Sequence, residues 1–172
     1  MDTRNAETPT TFNKEMIAKV WDTPAPQKAR VTAWRILRNR LPICDNLRKR
    51  NIPMVDEEIM CNMCFHQIET TNHLFLLCPK TGVVWDEIQR WLGVSAARPH
   101  CAVSHLDFFA HLGRGKKSQK FLTALWICII WLLWKRRNES RFEGKAWDIK
   151  NTIYDWGCES KNVELEQNFQ AA

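Results

Sequence analysis

The sequence predicts a mainly α fold: a small helical domain built around a Cys/His module with a short knuckle or β-hairpin. Three observations carry that reading. Apolar residues recur three and four positions apart in successive segments from Met16 to Leu92. The stretch Phe121 to Trp134 is 14 residues of almost unbroken apolar side chain, short of the roughly 20 that a membrane-spanning helix needs, so it reads as a buried core helix. Finally, Cys61-x2-Cys64-x8-His73-x4-Cys78 gathers three thiols and one imidazole within 18 residues.

In order along the chain, residues 1–12 are polar, lack a hydrophobic period and read as a disordered lead-in. From Asn13 a short helix carries Met16, Ile17, Val20 and Trp21 and stops at Thr23, where Pro24 and Pro26 impose an extended link. A second helix spans about Gln27 to Arg40, with Ala33, Trp34, Leu37 and Leu41 on one face and Lys28 and Arg35 roughly opposite. Beyond Pro42, Ile43 and Leu47 begin a shorter helix whose last turn carries Arg48, Lys49 and Arg50, with Asn51 as its stop. Residues 52–60 form an acidic linker that ends in a short strand at Glu58–Met60.

After the cysteine pair, Thr70 or Thr71 caps a helix that contains His73 and is anchored by Leu74, Phe75 and Leu77. Cys78 precedes Pro79 and is pushed to extended geometry, which ends that helix. On a continuous α-helix, ligands five residues apart would point about 140° away from one another, so the break is needed. Val84, Trp85, Ile88, Trp91 and Leu92 form the next amphipathic helix, capped at Gly93 and packed on the metal module. Residues 94–118, with Pro99, Gly113 and Gly115, read as a long loop with one helical turn around Leu106–Phe109. Residues 119–138 form the longest helix, whose Lys135-Arg136-Arg137-Asn138 tail emerges into water. After Gly144 a last helix holds Ile149, Ile153 and Trp156, and the tail frays from Lys161. The domain division is thus 13–95 for the metal-binding unit, 96–118 for a linker, 119–160 for a C-terminal helical segment and 161–172 for a flexible tail, and there is no internal repeat.

Four N/S donors are what a structural zinc ion takes, with no open position for chemistry. The spacing therefore points to Zn2+ held by Cys61, Cys64, His73 and Cys78. His66 is the alternative to His73, but it follows the cysteine pair so closely that its ring points outward more easily. Cys44, Cys101, Cys128 and Cys158 each stand alone and read as ordinary thiols; His100, His105 and His111 read as surface residues. Trp85, Trp91, Trp126 and Trp134, at helical spacing, read as core.

The formal charge is +6 and lies in two blocks: residues 28–50 carry eight Lys/Arg against one acidic residue, and 101–150 carry ten against four. Lys28, Arg35, Arg38, Arg40, Arg48, Lys49 and Arg50 are the candidate phosphate contacts. Seven cysteines, an odd number, and no apolar leader fit an intracellular protein, nuclear or cytoplasmic and not secreted. No membrane partner and no small-molecule substrate are expected.

Residues 16–95 resemble a known family in an ordered series: Val20-Trp21, Pro26-Gln27-Lys28-Ala29-Arg30, Ala33-Trp34-Arg35, Leu41-Pro42, Leu47, Arg50-Asn51-Ile52, Cys61-x-x-Cys64, Glu69-Thr70, His73-Leu74-Phe75, Cys78 and Trp85. The family is the zinc-binding domain that follows the reverse transcriptase in plant non-LTR (LINE-type) retroelements. Trp131 to Asn138 and Phe142 are similar to the segment that comes after it. The resemblance implies Cys61, Cys64, His73 and Cys78 as metal ligands and the element's RNA or target DNA as partner. Ala29-Arg30 departs from the plainer apolar step usual after the lysine. There is no Tyr-x-Asp-Asp polymerase motif and no acidic constellation for two-metal nuclease chemistry, so any such activity belongs to a longer parent protein. The expectation is a non-catalytic, nucleic-acid-binding zinc module. The alternatives are a scaffold that docks a polymerase or host factor, and a non-functional retroelement remnant.

Overall fold

The computed structural model describes residues 11–146 and Asp148. Six α-helices follow in order: α1 (Thr11–Trp21), α2 (Gln27–Leu37), α3 (Cys44–Arg48), α4 (Pro79–Trp91), α5 (Ala102–Leu112) and α6 (Lys116–Glu143). Between α3 and α4 lie a 3-10 turn, Asp56–Ile59, and a wide π-type turn, His73–Leu77. The fold is therefore mainly helical, and among the described residues there is no strand. The final helix around Ile149, Ile153 and Trp156, Cys158, and the tail from Lys161 lie outside the described residues.

α6 is the longest element, 28 residues, and the others gather on it: α2 and α5 pack along it, with α1 against α2 and α5. Its middle is buried on all sides, from Leu122 through Trp126 and Ile130 to Leu133, as its apolar composition requires. α2 turns Ala29, Thr32, Ala33, Ile36 and Leu37 inward while Lys28 and Arg35 stay exposed, the two-sided helix expected. Ala29 and Ala33, one turn apart, keep that face low enough for a neighbouring helix to approach closely. Among the described residues no helix is long and apolar enough to cross a membrane.

Several expectations are corrected. The loop expected over 94–118 contains α5, which buries Ala102, Leu106, Phe109 and Ala110 at spacings of four, three and one. Its glycines are boundaries: at Gly113 a Cβ would come within 2.7 Å of the Gln119 amide nitrogen, and Gly115 has φ +120°, so the pair makes the tight corner between α5 and α6. The strand expected at Glu58–Met60 is mostly 3-10 turn, because Asp56, Glu57 and Glu58 lack both alternation and β-forming side chains. Only Met60 pairs, antiparallel, with Ile68, so the knuckle is a hairpin reduced to a single bridge. His105 is not at the surface: fully buried on α5, it accepts a 2.8 Å hydrogen bond at Nδ1 from Trp126 Nε1–H and meets the Trp85 ring edge-on. Burial, with the Arg98 charge added, pulls its pKa down to about 3. Trp85 and Trp126 are core, Trp134 is half-buried, and Trp91 is half exposed at the end of α4. Arg137 does not emerge into water and is fully buried.

Candidate metal centre

The knuckle starts where Met60 pairs with Ile68. The Cys61 amide donates to Gln67 O at 2.8 Å and the Glu69 amide to Ile59 O at 2.9 Å. Inside that frame the Phe65 amide donates to Cys61 O at 2.7 Å and Phe65 takes φ +58°, reversing the chain so that the Cys61 and Cys64 sulfurs turn to one side. A left-handed bulky residue is rare and costs roughly 1–2 kcal/mol, which the surrounding structure must supply.

The other two donors come from the wide turn and its end. Thr70 Oγ1 accepts the His73 amide at 3.1 Å, the cap expected. The Cys78 amide then donates to His73 O at 2.7 Å, a five-residue span that opens the turn beyond α-helical width. Cys78 leaves it in extended geometry, ψ 131°, and Pro79 becomes the first residue of α4. The widened turn and the extended Cys78 together overcome the divergence a regular helix would impose.

Cys61, Cys64, His73 and Cys78 are all buried, and one ligand atom from each lies within 4.8 Å of the other three. Cys61 Sγ and Cys78 Sγ are 4.0 Å apart, and Cys64 Sγ is 3.3 Å from His73 Nε2. A tetrahedral ion with Zn–S bonds of about 2.3 Å has S–S edges of about 3.8 Å, and S–N edges slightly shorter, so the spacing fits a single small ion. Backbone amides support the sulfurs: those of Met63 and Cys64 face Cys61, and those of Lys80 and Thr81, at the start of α4, face Cys78. Such donors favour the thiolate, the form that binds metal. The Cys61 thiol donates to Cys78, which together with burial pushes the Cys61 pKa up and, against burial, holds the Cys78 pKa down. Burial also lowers the His73 pKa, against the pull of the Glu69 charge, which keeps its ring neutral. His66 is exposed, with Nδ1 turned back to Cys64 O, and takes no part.

A second constellation, invisible in the sequence, backs the knuckle. Glu69 is fully buried. Its carboxylate accepts Arg137 Nε–H at 2.9 Å and Nη2–H at 2.5 Å, and also the Cys44 amide at 3.2 Å and thiol at 3.0 Å. Burial would raise the Glu69 pKa, but the Arg137 bonds and charge, helped by Cys44, hold it below the usual range. The same contact pushes Cys44, already raised by burial, up to about 11. Arg137 also stacks on Trp134, 5.2 Å from guanidinium to ring centre, and its carbonyl accepts from Asn62 Nδ2 at 3.4 Å. Arg141 donates to Glu58 O at 2.8 Å. The C-terminal half of α6 is thus fastened to the knuckle by polar bonds. The traces of this in the sequence are Glu69, a carboxylate amid the module's motif residues, and Arg137 within the Trp131–Asn138 stretch, with nothing local to pair the two.

All seven candidate phosphate contacts, Lys28, Arg35, Arg38, Arg40, Arg48, Lys49 and Arg50, are exposed. Arg40 and Arg50 are brought together, since Arg50 Nη2 reaches Arg40 O at 3.5 Å. Arg38 lies over the Trp34 ring at 5.7 Å, and Lys49 pairs with Asp45 at 2.7 Å. Lys28 and Arg35 sit seven residues apart on α2, about 10 Å along its axis. Cys101 is exposed, Cys128 buried, and His100 and His111 exposed.

Fold and site define a helical domain with a buried Cys3His cluster suited to one metal ion. Residues 3–85 match the family described as zinc-binding in reverse transcriptase. Searches of curated proteins and of solved structures give no significant match. The family match stops before α5 and α6, so Arg137 stands outside the region that carries the donors.

Proposed function

We propose that the chain is a non-catalytic, zinc-ordered module that binds RNA or DNA through backbone phosphates, as part of, or descended from, a retroelement reverse transcriptase polyprotein of the plant LINE type. The observation that carries this reading is the division of polar groups: four metal donors sealed inside, seven cations on the outside. Zinc suits the site because three thiolates and one imidazole are its preferred set, and four protein donors leave no position for a reactive water. The ion's work is to hold the knuckle to the wide turn and the start of α4, which fixes Glu69 against the Cys44 amide of α3, whose end carries Arg48 and is followed by Lys49 and Arg50. Phosphate contacts would give sequence-tolerant, salt-dependent affinity.

A filter-binding titration of the full chain with RNA and with DNA at several salt concentrations tests it. Binding at low salt is expected, and Arg48→Ala, Lys49→Ala and Arg50→Ala together should weaken it and flatten the log–log salt slope by about 2–3. Affinity absent at low salt, or unchanged in the triple variant, would sink the idea. A protein-docking role, with a polymerase or host factor as partner, is the second reading, favoured by exposed Leu77, Val83 and Trp91 along and just before α4. Self-association without nucleic-acid binding would support it.

A further inference from the structure

Between α3 and the knuckle lies a cavity of about 380 Å³ that the metal site does not use. Its inner surface includes Ile59 and Cys44, both buried, and its outer edge Ile68, which is 45% exposed despite its apolar side chain. Arg48 and Lys49 line the same space. Asp45 lines it too and balances Lys49, whereas Arg48 has no ion pair among the described residues, so the opening carries one net positive charge over an apolar interior. The Cys44 thiol is already bonded to Glu69 and to Glu58 O, which leaves it no free chemistry. Thr70, whose Oγ1 accepts the His73 amide, lines the cavity as well. The volume falls at the low end of the range for small-ligand sites, roughly 300–1,000 Å³.

We infer that this cleft takes one unstacked base of a single-stranded nucleic acid, its faces against Ile59 and Ile68 and its flanking phosphates on Arg48 and Lys49. The inference rests on the nucleic-acid reading above and adds strandedness to it. An uncharged apolar ligand would waste the unpaired Arg48, and a simple anion would waste the apolar interior; a nucleotide uses both. A base held in a duplex cannot enter without the cost of unpairing and unstacking, so the cleft selects single strands. Asp56, Glu57 and Glu58 directly precede Ile59, and their charge keeps phosphates off that rim and directs the strand to the α3 side.

The test compares intact single strands, RNA and DNA, with strands of the same length and charge in which every nucleotide is abasic, using fluorescence anisotropy on the metal-loaded full chain. Intact strands should bind roughly fivefold more tightly than abasic ones, from the apolar area a base buries in the cleft. Ile68→Ser, at an exposed position whose pairing with Met60 is through backbone, should erase that difference while leaving abasic affinity and metal content unchanged. Arg48→Ala should weaken intact and abasic strands alike. The sugar series with the larger difference identifies the natural strand. Equal affinity for intact and abasic strands in both series overturns the cleft and leaves the phosphate reading standing, as does a difference that survives Ile68→Ser. Binding to none of the strands overturns both.

Discussion

The knuckle region, residues 56–78, and the long helix α6 reach a fixed structure by opposite means. α6 buries a continuous apolar middle, and burial of that kind is non-directional: many small contacts share the stabilisation. Residues 56–78 have a 3-10 turn, one β-bridge and one wide turn, too little regular structure to hold themselves. They are fixed by groups that work only when aimed, four donors at one point and one carboxylate in the fork of Arg137. Apolar order degrades gradually as contacts are removed; aimed order fails when a single partner is lost.

The largest effect should follow removal of the metal. A structural zinc site contributes on the order of 10 kcal/mol to folding, so a strong chelator or Cys61→Ser should leave residues 56–91 open to proteolysis, with metal lost by mass spectrometry. Protection of that segment unchanged after chelation would break the comparison at its root. Next in size, Arg137→Met strands a buried carboxylate and should cost about 3–5 kcal/mol in urea unfolding, most of it recovered by adding Glu69→Gln. By contrast, Leu125→Ala on α6 should cost about 2–5 kcal/mol, and no substitution at position 69 should repair it.

The smallest effect is graded by pH. His105 stays neutral in the folded chain down to about pH 3, whereas the unfolded chain takes up its proton near the ordinary value of 6.5. Its share of stability is complete above pH 6.5 and is lost as pH falls from there towards 3, by about 1.4 kcal/mol per unit at most. Urea midpoints at pH 7, 6 and 5 should fall less steeply for His105→Gln than for the unaltered chain. Metal analysis at each pH separates this slope from proton competition at the thiolates.

Periodicity made α1, α2, α4 and the middle of α6 legible, because each buries a face whose spacing is local. The donor set was legible for a similar reason: Cys61 to Cys78 is a short span, and Pro79 announces the break before it. α5 was obscured because Pro99, Gly113 and Gly115 read as loop, though they bound the helix instead of interrupting it, and because His105 and Asp107 broke the apolar pattern. His105 could be buried only because Trp126, 21 residues on, donates to it. Arg137 stood in a run of charged residues, and nothing local distinguishes the one that turns inward; its partner is 68 residues away.

That separation also sets an order of events during synthesis. At about 5–20 residues per second, roughly 3–14 s pass between translation of Glu69 and of Arg137. Cys61 and Cys64 are made before Glu69 and His73 and Cys78 soon after it, so all four metal donors exist well before Arg137, while the carboxylate beside them has Cys44 and water but no guanidinium for a partner. A nascent chain can therefore capture its ion around a hydrated, still mobile Glu69, and the arrival of α6 later dries and locks what the metal has gathered. A ribosome stalled before residue 137 would hold a metal-loaded but unlatched knuckle.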